Sequence, residues 1–299
     1  MQIIHAKQAL TPTGWQHNLE VQIGADGRIA SVGPQVGTAT SRVALLLPAP
    51  SNLHSHAFQR AMAGLTEARG PDPSDSFWSW RRLMYSFLDQ LSPDHVEAIA
   101  ALVFMEMLEA GYGAVAEFHY LHHDVDGVPY ATLAEMSERI VSAATQTGIG
   151  LTLLPVHYQF GGCDLRPLQG GQRRFGNDVD RFLRLHVDAK GALDAAPPDY
   201  ALGMAPHSLR AVDPSGLEVL LSEATTGPVH MHLGEQLAEV DEVVACLKAR
   251  PTEWLLDNHA VDNRWCLIHC TQMMPQETAA LAATGAVAGL CPLTESNLG

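Results

Sequence analysis

Val229-His230-Met231-His232-Leu233-Gly234-Glu235 is a short apolar run with imidazoles at alternate positions, closed by a glycine and a carboxylate. Residues i and i+2 of a strand face one side, so the run reads as a strand that delivers side chains to its C-terminal end. Similar runs recur at Val43 to Leu47, Ala114 to Phe118, Leu151 to Val156, Ala201 to Met204, Cys266 to His269 and Val287 to Cys291. Amphipathic segments separate them. Between the first two, Ser92 suits an N-cap, Pro93 the first helical position, Ile99, Leu102, Val103 and Met107 an apolar stripe, and Gly111 a C-terminal cap. Strand and helix in alternation predict βα units around a parallel sheet, with any site at the C-terminal ends of the strands.

Ahead of this pattern, residues 2–33 read as a small β element. Leu19 to Ile23 and Ile29 to Val32 flank the Asp26-Gly27 turn. The expected division is a β domain over 1–42 and a barrel over 43–299. Residues 57–92 form a long connection after the first strand, and its Phe77-Trp78-Ser79-Trp80-Arg81-Arg82 segment suits either a lid or a packed loop.

With 299 residues, 46% of them hydrophobic, the chain has enough apolar material for a large core. A net charge of −15 without a basic run argues against nucleic acid and anionic membrane surfaces as partners. Five cysteines, Cys163, Cys246, Cys266, Cys270 and Cys291, are an odd number in a long chain and read as reduced thiols of a cytoplasmic protein. No signal peptide or membrane-spanning run is expected.

The 15 histidines focus attention on pairs at ligand spacing. His54-Ser55-His56 turns two imidazoles toward one centre, a pattern suited to zinc, iron and related ions. His232 with Glu235 three residues later adds a third ligand and a group able to move a proton, with His230 as a buried neighbour. The structural alternative for Glu235 is a carboxylate favoured by a helix N-terminus. In Trp265-Cys266-Leu267-Ile268-His269-Cys270, parity puts the cysteines on one face and His269 on the other, so a Cys-x3-Cys zinc site needs a bend. His269 reads better as a ligand or a base. His207 and Phe118-His119-Tyr120 close two further strands, and histidines at so many strand ends favour an active site.

These residues resemble the amidohydrolase superfamily. More closely, Pro50 to Leu65, Phe77 to Arg81, His207-Ser208-Leu209-Arg210, His230 to Gln236 and Cys291-Pro292-Leu293-Thr294-Glu295 resemble the formimidoylglutamate deiminase (N-formimino-L-glutamate deiminase) family of bacterial histidine degradation. The resemblance implies a (β/α)8 TIM-type barrel with a small N-terminal β-sandwich element. It implies one zinc ion, with Fe2+ as the alternative, on His54, His56 and His232, and Glu235 and His269 as catalytic acid/base residues. Gln59, Arg81, Tyr120, His207 and Arg210 match the family's substrate contacts, with Arg82 the alternative to Arg81. The implied reaction turns N-formimino-L-glutamate, a small dicarboxylate, into N-formyl-L-glutamate and ammonia, in a cytoplasmic homodimer.

Two other readings are carried: an aminohydrolase of the same superfamily acting on guanine, cytosine or an adenosine derivative, and a truncated non-catalytic homologue. Seven barrel strands are visible and the eighth, with the Asp that follows it in the family, is missing. A fragment of a longer enzyme is therefore expected over a truncated form.

Overall fold

The computed structural model describes residues 2–65, 77–223 and 226–298. Side chains of residues 77–79, 81, 82 and 298 are outside that description. Two compact units divide between Pro50 and Ser51.

In the first unit, β1 (Gln2–Thr11) and β2 (Gly14–Ile23) form an antiparallel pair and β3 (Ile29–Pro34) continues it. Gly27, at φ +76°, makes the expected turn before β3. β4 (Ser41–Leu46) adds in parallel to β1, giving the order β3-β2-β1-β4. This corrects the assignment of Val43 to Leu47 as the first barrel strand. The reason is pairing: Ser41 to Leu46 runs alongside Ile4 to Ala9 of β1, so the apolar run completes the first unit's sheet. Ala6, Ala9, Leu19 and Val21 are the small core of this unit. Beside them, buried Glu20 accepts hydrogen bonds from the Gln22 side chain and the Gly37 and Val36 N–H groups and contacts His5 Nε2, which together hold its carboxyl at about 2.

The second unit begins with β5 (Ser51–Ser55), which takes the first barrel position. Then come α1 (Phe77–Leu88), α2 (Pro93–Glu109), β6 (Ala114–His119), α3 (Glu135–Thr147), β7 (Gly150–His157) and α4 (Val179–Ala192). The fourth position is shared by two short pieces, β8 (Ala201–Leu202) and β9 (Ala205–Pro206), which both pair with β7. After α5 (Pro214–Glu223) come β10 (Val229–Leu233), α6 (Leu237–Leu247), α7 (Pro251–Asn258), β11 (Trp265–His269), α8 (Pro275–Thr284), β12 (Val287–Gly289) and α9 (Pro292–Leu298). Every strand pairing in this unit is parallel: β5-β6-β7-β8 on one side, β10-β11-β12 on the other, and a Met204–Val229 bridge between them. Among the described residues this is an arc of seven strand positions.

Local chemistry explains the helix boundaries. Ser92 caps α2 by accepting from His95 N–H at 3.3 Å, Pro93 opens the helix, and Gly111 at φ +95° follows Ala110 at its end. α6 ends at Leu247, where Lys248 turns left-handed at φ +63°, and Pro251 opens the separate helix α7. In the long connection after β5, residues 66–76 lie outside the described residues. Phe77 to Arg82, read as a lid or a packed loop, instead lies in helix α1, from which Trp80, Tyr85 and Phe87 pack against the core.

Buried histidines outside the strand-end cluster constrain stability. Burial pushes His119 down to about 3 and His157 down to about 4, so both are neutral in the fold. The unfolded chain takes up these protons below about pH 6.5. The stability they contribute is complete above that value and is lost as the pH falls toward 4 for His157 and 3 for His119, at ~1.4 kcal/mol per pH unit for each group. Urea midpoints are expected to drop between pH 7 and 5, and less steeply in His157→Gln. Equal slopes for the two proteins would show that His157 does not set them.

Candidate active site

The strand ends converge by specific local means. β5 carries a register irregularity against β6: Asn52 pairs Val115 and Ser55 pairs Glu117, so Leu53 and His54 stand opposite one residue. A bulge of this kind re-aims side chains. Asn52 Oδ1 accepts from His54 N–H at 3.1 Å, and buried Glu117 accepts from Ala57 N–H at 2.7 Å, fixing the chain on both sides of His56. Burial raises Glu117 to about 8, against the opposing hydrogen bonds of Ser55 and Ala57, so it is held as the neutral acid at neutral pH.

His54 Nε2 lies 3.0 Å from His56 Nε2 and 3.1 Å from His232 Nε2. His56 donates from Nδ1 to the Phe118 carbonyl at 2.9 Å and His232 from Nδ1 to the His207 carbonyl at 3.2 Å. A neutral ring with Nδ1–H has a bare lone pair at Nε2, so at least two lone pairs point at one spot. All three rings are held neutral: burial pushes His56 to about 4 and drives His54 and His232 well below the ordinary range, with neighbouring imidazoles adding to the effect. Nitrogens bound ~2.1 Å from one tetrahedral ion sit about 3.4 Å apart, close to what is seen here. The donor set therefore fits a divalent ion of the zinc or iron type. Phe118, unremarked in the sequence apart from its neighbours, packs edge-on against all three rings at centroid distances of 4.5 to 5.3 Å.

After β10 the chain turns at Gly234, whose φ of +62° favours glycine. Buried Glu239, in the first turn of α6, accepts from Gly234 N–H at 3.2 Å and Glu235 N–H at 2.9 Å. Glu235 is itself buried, and its Oε1 is 3.6 Å from His269 Nε2. His269 stacks on His232 at 5.4 Å between centroids. His230 is buried beside this group and outside the triad; burial takes it down to about 4.

On the other flank, Gln59 Nε2 donates to Tyr120 Oη at 2.8 Å, and Tyr120 packs against His56 and His207. His207 lies 4.8 Å from His232 between centroids and contacts Ser208 Oγ through Nδ1. Burial opposes the charge of Arg210, but Glu239, Tyr158, Glu235 and Glu242 outweigh it and hold the guanidinium above its ordinary range. Its Nε is buried without a hydrogen-bond partner among the described residues. Arg81 and Arg82 fall in α1, and their side chains are outside the described residues.

The chain bends where parity required it for a Cys-x3-Cys site: His269 has φ +75° and Cys270 φ +53°. Yet the bend does not assemble one. Among the described residues His269 clusters with Cys291 and Glu295, not with Cys266 and Cys270, and all five cysteines are unpaired. No helix among the described residues is long and apolar enough to cross a membrane.

A parallel α/β arc with metal-fitting imidazoles and a carboxylate at its strand ends defines a class, and comparison with known proteins agrees with it. The amidohydrolase family model matches residues 45–299, and the chain belongs to that family. Residues 1–40 match the model described as formimidoylglutamate deiminase HutF, N-terminal domain. The chain is 50% identical to formimidoylglutamate deiminase of Pseudomonas aeruginosa, over 100% of this chain and 66% of that protein. It is likewise 50% identical to an amidohydrolase from Brucella melitensis of known crystal structure, with a TM-score of 0.96 over 100% of this chain and 66% of that one. An adenosine deaminase from Xanthomonas campestris with bound zinc, 18% identical, shares the fold at a TM-score of 0.74 over 99% of this chain and 66% of its own. The chain thus spans just under two thirds of the length of its closer relatives.

Glu239 was not singled out in the sequence, although a Glu four residues past Glu235 in a first helical turn is a legible capping signal. Glu239→Ala leaves two buried N–H groups without their acceptor. Urea unfolding is expected to show a loss of about 1–3 kcal/mol, with Glu239→Gln less affected. An unchanged midpoint in Glu239→Ala would remove this carboxylate from the support of the Glu235 turn.

Proposed function

We propose that the protein hydrolyses N-formimino-L-glutamate to N-formyl-L-glutamate and ammonia in histidine degradation. The observation that carries this reading is 50% identity to a formimidoylglutamate deiminase along the whole chain, including the N-terminal unit. The geometry supports it, because the imidazole cluster is flanked by Gln59, Tyr120, His207 and Arg210, groups suited to a small polar substrate.

One zinc ion is the cofactor of this reading, with iron(II) as the alternative, held by His54, His56 and His232. Such an ion lowers the pKa of water toward ~7 and makes a nucleophile available at neutral pH. Glu235 takes a proton from the attacking water and delivers it to the formimino nitrogen, then carries the second proton from the hydroxyl of the tetrahedral species to the same nitrogen, which departs as ammonia while the formyl C=O forms. Nε2 of His269 accepts a hydrogen bond from the attacking water and so orients its oxygen toward the formimino carbon. Arg210, with Arg81 or Arg82, pairs the substrate carboxylates, since a guanidinium matches carboxylate geometry and offsets the net charge of −15. Gln59 and Tyr120, already joined by a hydrogen bond, fix the substrate's orientation together with His207. The same reading includes a closed eight-stranded barrel, a cytoplasmic setting and a homodimer. Unpaired cysteines agree with the setting.

Ammonia release from a panel containing N-formimino-L-glutamate, guanine, cytosine and adenosine tests the substrate; turnover of a ring and not of the linear amidine would replace this reading. His232→Ala is expected to lose the metal that the wild type retains on gel filtration, measured by elemental analysis. Glu235→Gln should keep the metal and lose at least a hundredfold in kcat, roughly the weight of a general acid/base. For Arg210→Met a KM rise of about tenfold or more is expected, and an unchanged KM would exclude a carboxylate contact.

A further inference from the structure

His269 is held by two carboxylates from different βα units. Its Nε2 is 3.6 Å from Glu235 Oε1, and its Nδ1 is 3.4 Å from Glu295 Oε1. Glu295 comes from α9, which the pairing of β12 with β11 brings alongside, Gly289 lying opposite Ile268. The same Oε1 accepts from Cys291 N–H at 2.7 Å, and Glu295 N–H donates to the Cys291 carbonyl at 3.0 Å. Taken alone, the Cys291 bond makes Glu295 a capping carboxylate for the start of α9. The second contact of that oxygen goes further, because it reaches an imidazole next to the imidazole triad.

The backbone at His269 and Cys270 adds a second observation. Two consecutive non-glycine residues at φ +75° and +53° are sparsely populated and persist where surrounding structure enforces them, commonly at functional sites. Here the Cys270 N–H donates to the Leu233 carbonyl at 3.0 Å, which ties the bend to the end of β10. The backbone thereby places the imidazole but does not choose which ring nitrogen carries the proton. The Glu295 oxygen is within hydrogen-bond reach of Nδ1 at 3.4 Å, whereas the Glu235 oxygen, 3.6 Å from Nε2, makes no hydrogen bond; a carboxylate only accepts, so Nδ1 is the donor and the neutral ring keeps its lone pair at Nε2.

We propose that Glu295 is a positioning residue for His269: its carboxylate, anchored on the Cys291 N–H, fixes the imidazole in the Nδ1–H form with Nε2 turned toward Glu235. The catalytic meaning of this arrangement rests on the deiminase reading above, whereas the tautomer itself does not.

The test is 15N NMR of the imidazole nitrogens in the zinc-loaded protein, with the His269 signals assigned by comparison with His269→Gln. In the wild type and in Glu295→Gln, whose Oε1 preserves an acceptor, the Nδ1–H tautomer is expected to dominate. In Glu295→Ala the signals move to averaged or Nε2–H values, kcat falls about 10- to 100-fold, and KM stays within about twofold. Glu295→Asp, with a shorter reach, serves if the alanine variant does not fold, and should resemble it. A His269 tautomer unchanged in the alanine or aspartate variant overturns the proposal, as does a uniform KM rise without loss of kcat. If the wild type has no activity on N-formimino-L-glutamate, the deiminase reading fails and the spectra still decide the role of Glu295.

Discussion

At the ends of the strands the Nε2 atoms of His56 and His232 lie 3.0 and 3.1 Å from that of His54, and all three meet there as neutral rings. A proton on each would set positive charges against one another in a buried space. Burial removes that option, and the carbonyls of Phe118 and His207 take the Nδ1 protons of His56 and His232, leaving lone pairs at the centre. A cation is the natural complement to such a cluster. The irregularity in β5, the aromatic face of Phe118 and the parallel register of β10 with β11 all serve to bring these rings together.

The turns beyond these strands share a second device. Glu117 accepts the Ala57 N–H after β5, Glu239 accepts the Gly234 and Glu235 N–H groups after β10, and Glu295 accepts the Cys291 N–H after β12. In each case a carboxyl group supplies the acceptor that the turning chain no longer finds in the sheet. Buried N–H groups require such partners, and a carboxyl oxygen serves both in the neutral acid, as at Glu117, and in the ionised form, where it is the stronger acceptor. The acidic excess of the chain thus has a local use close to a site proposed to bind a dianion, and Arg210, held charged by Glu239 and Glu235 among others, restores the opposite sign.

Much of the site was legible because strand parity and strand ends are local properties. His54-Ser55-His56 and His232 with Glu235 could be paired from spacing alone, and His230 could be set aside as a buried neighbour. His207 and Tyr120 stood out only as residues at strand ends, and Gln59 and Arg210 entered through family resemblance, since nothing in the spacing shows that Gln59 meets Tyr120 and Tyr120 meets His207. Glu117 and Glu239 escaped notice, and Glu295 was noted only within a family segment, because a carboxyl that accepts a backbone N–H looks like any other acidic residue until the turn it serves is known. Val43 to Leu47 misled for a related reason. An apolar run states that a strand forms, not which sheet it joins, and β4 found its partner in β1.

The sequence by itself determined the alternation of strand and helix, the chemical identity of the groups proposed as ligands and proton carriers, and the side of each strand on which they stand. Those follow from side-chain chemistry and the two-residue repeat of an extended chain. Only the tertiary structure decided that Ser51 to Ser55 opens the parallel strand arc, that His269 leaves its strand through two left-handed residues, and that an oxygen of Glu295 reaches its ring. These depend on pairings between residues far apart in the chain, where register and packing choose among conformations that the local sequence leaves open.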